Sequence, residues 1–144
     1  KNVSPAHVEL KFAKSPLVEQ IVVIGDNRKY IAALIVPMYD AVIKMFKEKG
    51  IPFDESKLIY ATVNGINTCI EVGEDLAAHP YLLELIEAEV EKVNEQLADF
   101  EAIKKFKIIP RKFTEERGEL TPTLKIKNRI VFANYPDEIE ELYK

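Results

Sequence analysis

Val18-Glu19-Gln20-Ile21-Val22-Val23-Ile24, then Gly25-Asp26-Asn27-Arg28-Lys29, then Tyr30-Ile31-Ala32-Ala33-Leu34-Ile35-Val36 is the part of the chain that says most about its architecture. Two runs rich in β-branched residues flank a Gly-Asp-Asn turn, a pattern that predicts a β-hairpin. Both runs are nearly continuous in apolar residues. Strands of that kind are covered at least partly on both faces, so layers are expected above and below the hairpin. Pro37 ends the second strand.

Upstream of the hairpin, Ser4-Pro5 supplies an N-cap and a first-turn proline for a short helix. Val8, Leu10 and Phe12 are read as facing inward, and Ser15-Pro16 stops the helix. Downstream, Asp40 is read as the cap of a helix running to Lys49, with Val42, Ile43 and Phe46 on one face and Gly50 as terminator. Asp54 or Ser56 is read as starting a short helix through Ala61, and Asn64-Gly65 and Gly73 break the chain beyond it. Leu83, Ile86, Val90, Val93 and Leu97 recur at helical spacing, predicting an amphipathic helix from about 80 to 98. The carboxylates crowding 84 to 101 are its solvated face. Phe106 to Phe113 reads as a strand, Glu115 to Gly118 as a turn, and two short helices come last, after Lys125 and from Pro136 to Tyr143. The sum is an α+β fold: a small, mainly antiparallel sheet with helices packed on it.

A chain of 144 residues fits one domain, and 47% hydrophobic with 31% charged residues argues against disorder. A net charge of −4 with interspersed signs argues against nucleic acid as partner and against electrostatic attachment to acidic membranes. The run from Ile31 to Pro37 is far shorter than the roughly 20 residues a spanning helix needs, and no transmembrane segment is expected. Nor does the start show the charged-then-apolar pattern of a secretory leader. The single cysteine, Cys69, has no internal disulfide partner, which is compatible with a reducing compartment. The chain opens Lys1-Asn2-Val3 without methionine, which fits a trimmed tag, a processed end or a piece cut from something larger.

The usual site signatures are absent: no Gly-rich phosphate loop, no Gly-x-Gly-x-x-Gly, no Cys-x-x-Cys and no His-Glu-x-x-His. His7 and His79 lie in different elements without neighbouring ligands, so no metal site is expected; His79 reads as a helix start. Cys69 reads as a small buried hydrophobe. One segment stands apart, Gly118-Glu119-Leu120-Thr121-Pro122-Thr123-Leu124-Lys125-Ile126-Lys127-Asn128-Arg129. Pro122 between two threonines holds an extended loop, and Lys125 stands at a helix start, where the helix dipole disfavours a cation. Helix stability does not explain Lys125. The residues alone leave it between an ordinary solvated lysine and a functional cation.

Glu119-Leu120-Thr121-Pro122-Thr123-Leu124-Lys125-Ile126-Lys127 resembles the terminal lysine motif of long-chain fatty-acid–CoA ligases, a branch of the adenylate-forming enzymes. Lys1-Asn2-Val3-Ser4-Pro5 resembles the end of that family's hinge-proximal motif. Ser15 to Asp26, Tyr30 to Pro37 and the closing Ile139-Glu140-Glu141-Leu142-Tyr143 are similar to the family as well. The likeness is weakest over 54–78, read as a family-variable insertion in a domain spanning 1–144.

The resemblance implies the mobile C-terminal lid domain of such a ligase, which converts fatty acid, ATP and coenzyme A to acyl-CoA, AMP and pyrophosphate. It implies Lys125 as the catalytic lysine of adenylation, and Lys1, Asn2, Ser4 and Pro5 as residues lining the approach of coenzyme A. ATP with Mg2+ would be bound mainly by an N-terminal adenylating domain, the lid's partner. The loop 118–125 is then expected to be exposed and mobile, with Lys125 free of ion pairs, and the enzyme to be cytoplasmic, either free or peripheral to a membrane through that partner domain. The alternative is a free-standing, non-catalytic α+β ligand-sensing or protein-interaction module, for which the lysine motif is coincidence.

Overall fold

The computed structural model describes residues 3–144. β1 (Val18–Ile24) and β2 (Ile31–Pro37) pair antiparallel, with Ile21 opposite Ile35 and Val23 opposite Ala33. β2 is the central strand of three: its other edge pairs in parallel with β5 (Ile103–Ile108), so that Ala33 faces Phe106 and Ile35 faces Ile108. Every residue of β2 is buried, as its unbroken apolar run requires. A parallel pair needs a crossover. Here it contains α2 (Tyr39–Glu48), a second hairpin, α3 (Glu74–Ala77) and α4 (Pro80–Asn94).

The second hairpin, β3 (Ile59–Val63) and β4 (Ile66–Glu71), replaces the short helix expected through Ala61. Only the single 3-10 turn Glu55–Lys57, capped by Asp54, forms there. The cause is Asn64-Gly65, which takes φ values of 50° and 79°. Two consecutive left-handed residues make the tight turn that joins twisted strands. Asp40 does not cap α2, whose N-cap is Met38. Its carboxylate instead accepts the Cys69 amide at 3.3 Å, pinning β4 against α2.

Further corrections concern helical phase and the ends of elements. α1 (Pro5–Leu10) buries Val8, but Leu10 is 72% exposed, being two residues and roughly 200° around from Val8. In α4 the inward stripe is Leu82, Ile86, Val90 and Val93, and Leu83 is 44% exposed. α4 also ends at Asn94, short of residue 98, because the Asn94 side chain pairs with both backbone groups of Ile103 and starts β5 there. The last strand is therefore 103–108 and not 106–113. Pro110 has no amide to continue a ladder; beyond it the chain bridges to β4, with Lys112 N donating to Ile70 O at 2.9 Å. Nor are all the carboxylates on α4 solvated: Glu89 is buried, accepting from the Ser15 hydroxyl at 2.6 Å. The closing helices are α5 (Asn128–Asn134) and α6 (Pro136–Leu142).

This packing has two measurable consequences. Leu82→Ala is expected to destabilise the chain by about 2–5 kcal/mol through the cavity it leaves, and Leu83→Ala by less than about 1 kcal/mol, read as urea midpoints. Cys69 is 1% exposed, and burial pushes its thiol above the ordinary range. Reaction of Cys69 with a thiol reagent at neutral pH is therefore expected to track unfolding; rapid labelling of the native chain would contradict this.

Candidate functional site

The chain after the β4 bridge builds a self-contained loop. Leu120 and Ile126 pair as an antiparallel bridge. Between them Thr121 N donates to Lys125 O at 2.8 Å, and the Thr121 hydroxyl accepts the Lys125 amide at 3.0 Å. Leu124 N closes a tight turn onto Thr121 O at 2.8 Å, with Leu124 itself at φ 66°. A leucine held in the left-handed region shows that the loop's hydrogen bonds fix its path. Pro122, Thr123, Leu124 and Lys125 are exposed. Among the described residues, the Lys125 ammonium has no ion-pair partner.

The stem of the loop is the reverse of its tip. The expectation that all of 118–125 is exposed is corrected at Glu119, which is 0% exposed. Its carboxylate accepts from Thr114 N at 3.1 Å, from Arg117 Nε at 3.3 Å and from Asn134 Nδ2 at 3.0 Å. Its own backbone carbonyl accepts Lys127 N at 2.8 Å, locking the returning limb of the loop. Behind it, the Gln20 side chain both donates to Phe113 O at 3.2 Å and accepts Phe113 N at 2.8 Å, serving the segment as a strand neighbour would. Lys112 and Glu19 pair alongside. The loop is thus tied to β1.

The other predicted residues lie elsewhere. Ser4 caps α1, its hydroxyl accepting the His7 amide at 3.3 Å. Pro5 lines a cavity of about 560 Å3 between α1, the β1–β2 turn and α5. Lys1 and Asn2 lie outside the described residues. Leu124, next to Lys125, borders a different cavity of about 510 Å3, shared with Ala61 and Val63 of β3. The structure joins the two regions through Glu9 on α1, whose carboxylate accepts Val23 N at 2.9 Å and Asn128 Nδ2 at 3.1 Å. Burial raises the Glu9 pKa, against the lowering pull of those two bonds.

Sequence reasoning does not single out Glu9, Gln20, Glu119 or Asn128. The available signal is weak: Glu119 is an acid between a glycine and a buried-strand type of residue, and its partners lie 5, 2 and 15 positions away. Among the described residues no group of three or more His, Cys, Asp or Glu could hold a metal ion. Among the described residues no helix is long and apolar enough to cross a membrane.

The chain is 37% identical over 143 residues to the long-chain-fatty-acid–CoA ligase FadD15 of Mycobacterium tuberculosis, spanning 99% of this chain and 21% of that protein. It is 31% identical over 171 residues to the long-chain-fatty-acid–CoA ligase heimdall of Drosophila melanogaster, all of this chain against 24% of that protein. It therefore spans about a fifth to a quarter of the relatives' length. Among solved structures, the A-PCP didomain of carboxylic acid reductase from Segniliparus rugosus, in complex with AMP, superposes with a TM-score of 0.60 at 27% identity, over 98% of this chain and 16% of that one. The AMP-binding enzyme C-terminal domain family matches residues 1–72 and 70–144, and the chain belongs to that family.

Proposed function

We propose that this chain is the lid of an ATP-dependent fatty-acid–CoA ligase and that Lys125 is its adenylation lysine. The observation that carries the reading is an unpaired, exposed ammonium presented by a loop whose every turn is hydrogen-bonded, in a chain related to fatty-acid–CoA ligases. In the first half-reaction a fatty-acid carboxylate oxygen attacks the α-phosphorus of ATP. The bond to the bridging oxygen breaks, and pyrophosphate leaves. Two anions must meet, so a cation reaching both lowers the barrier by charge stabilisation and by orienting the pair. Lysine fits as a compact charge on a flexible stem.

In the second half-reaction the coenzyme A sulfur attacks the acyl carbonyl and AMP departs. The lid rotates as a rigid body, withdrawing Lys125 and bringing Ser4 and Pro5, with Lys1 and Asn2 before them, toward the thiol's approach. ATP and Mg2+ belong to the N-terminal adenylating domain, and the enzyme works in the cytoplasm. Alone, the chain lacks the nucleotide site, and incubation with ATP, fatty acid and coenzyme A is expected to give no acyl-CoA. Product formed by the isolated chain would refute its assignment as a lid.

In the intact ligase, Lys125→Ala is expected to slow acyl-adenylate formation by about two to three orders of magnitude or more, equivalent to a few kcal/mol of lost charge stabilisation. Supplied with acyl-adenylate and coenzyme A, the same variant is expected to form thioester at close to the wild-type rate. Its melting temperature is expected to be unchanged, since the side chain is exposed and unpaired. Equal losses in both halves would reveal a binding or structural role, and no loss in either would leave Lys125 an ordinary surface residue.

A further inference from the structure

A buried carboxylate is costly unless its oxygens are satisfied, and proteins keep such groups where they organise something. Glu119 is the most enclosed ionisable side chain among the described residues, at 0% exposure. Neither half-reaction uses it. Its surroundings are specific: one oxygen takes the Thr114 amide and Arg117 Nε, the other takes Asn134 Nδ2. Arg117 is itself oriented, donating to Lys112 O at 2.6 Å. One carboxylate thereby joins three pieces of chain: the end of the segment anchored to β1, the turn at 115–118 and the last residue of α5. Its backbone holds both limbs of the lysine loop, through Glu119 N to Thr114 O at 2.9 Å and Lys127 N to Glu119 O at 2.8 Å. From there Leu120 pairs with Ile126, and Thr121 fixes both backbone groups of Lys125.

We infer that Glu119 is the positioning residue for Lys125: its buried carboxylate sets the direction in which the lysine loop leaves the domain, and so where the ammonium arrives when adenylate forms. The inference rests on the adenylation role proposed for Lys125. Glu119 touches no substrate; it acts through the loop. Displacement of a reacting group by about an ångström costs on the order of a hundredfold in rate, and between residues 114 and 127 no other ion pair stands among the described residues, the Lys112–Glu19 pair lying before the turn. The exchange that tests the geometry is also visible. A glutamine at 119 keeps an oxygen for Thr114 and Arg117 but loses the charge that faces Arg117, and its amide nitrogen meets the Asn134 nitrogen donor against donor unless the Asn134 amide turns over. An aspartate at 134 would accept from that nitrogen and return the negative charge to the cluster.

The experiment uses the intact ligase and measures both half-reactions separately, with a thermal melt on each variant. Glu119→Gln is expected to slow acyl-adenylate formation about ten- to a hundredfold, while thioester formation from supplied acyl-adenylate stays near wild type. Asn134→Asp alone, at an exposed helix position, places a second carboxylate against Glu119 and is expected to cause the same selective loss. It keeps the test decisive if Glu119→Gln does not fold. The double variant is expected to recover at least half of the lost adenylation rate. Lys125→Ala measured in parallel separates the two readings. Loss in Lys125→Ala with none in the Glu119 and Asn134 variants overturns the positioning role alone. No loss in Lys125→Ala overturns the adenylation reading on which it rests. Equal losses in both half-reactions, or a double variant no better than the singles, would reduce Glu119 to a fold-stabilising residue and overturn the inference.

Discussion

The seven residues of β2 are all buried, and the strand is paired along both edges, with β1 through residues 32–37 and with β5 through residues 31–35. Everything else in the domain answers to that strand. A backbone so enclosed must satisfy its amides and carbonyls within the sheet, because no water reaches them. Ala32 and Ala33 are small enough to let covering elements approach closely, while Leu34, Ile35 and Val36 fill the space between layers. Tyr39, just past the strand's exit, is fully buried and sends its hydroxyl to Ile109 O at 2.8 Å, tying the exit of β2 to the exit of β5. Burial raises that phenol's pKa strongly, so it remains a neutral donor.

From this centre, order is passed outward by side chains that take over the role of missing strand neighbours. Gln20 does so for Phe113, Asn94 for Ile103, Asp40 for Cys69 and Glu9 for Val23. Each substitutes polar side-chain atoms for a ladder that the irregular backbone cannot continue, and buried polar groups of this kind are expensive to leave unpaired. Among the described residues no buried side-chain nitrogen or oxygen lacks a partner. The lysine loop stands at the far end of such a sequence of contacts: sheet, Gln20, Phe113, Thr114, Glu119, and then the bridge that carries Thr121 and Lys125.

What can be read from the chain divides along the same line. The β1–β2 hairpin, the capped start of α1 and the His79 cap of α4 are local: their determinants lie within a few residues, and strand or cap chemistry reveals them. The lysine loop is legible for a different reason, a run of nine residues similar to a known motif. Contacts between distant residues are not legible. Glu119 and Asn134 are 15 apart, Glu9 and Asn128 are 119 apart, and Ser15 and Glu89 are 74 apart. Nothing in composition marks one glutamate of many as the buried one. The Asn64-Gly65 turn is local and still escapes reading as a hairpin, because its flanking strands are half exposed and lack a strong apolar alternation. Leu82 and Leu83 are interchangeable on paper because adjacent leucines both fit a helical stripe until its partner surface is known.

The parallel pairing of β5 with β2 sets an order of events during synthesis. A strand emerging from the ribosome can close the β1–β2 hairpin at once, since its two halves are contiguous. β5 finds its edge only after the whole crossover, from Tyr39 to Glu101, has been made and packed, and non-local pairings of that kind are slow to form. Segment 111–114 and the lysine loop come later still, because they follow β5 along the chain and their anchors on β1 and β4 cannot form until they are made. The backbone that carries Lys125 is therefore among the last parts of the chain to acquire a fixed place. A nascent chain can hold its hydrophobic centre before the lysine loop has been made, so the sheet and the loop are separable in time as well as in space.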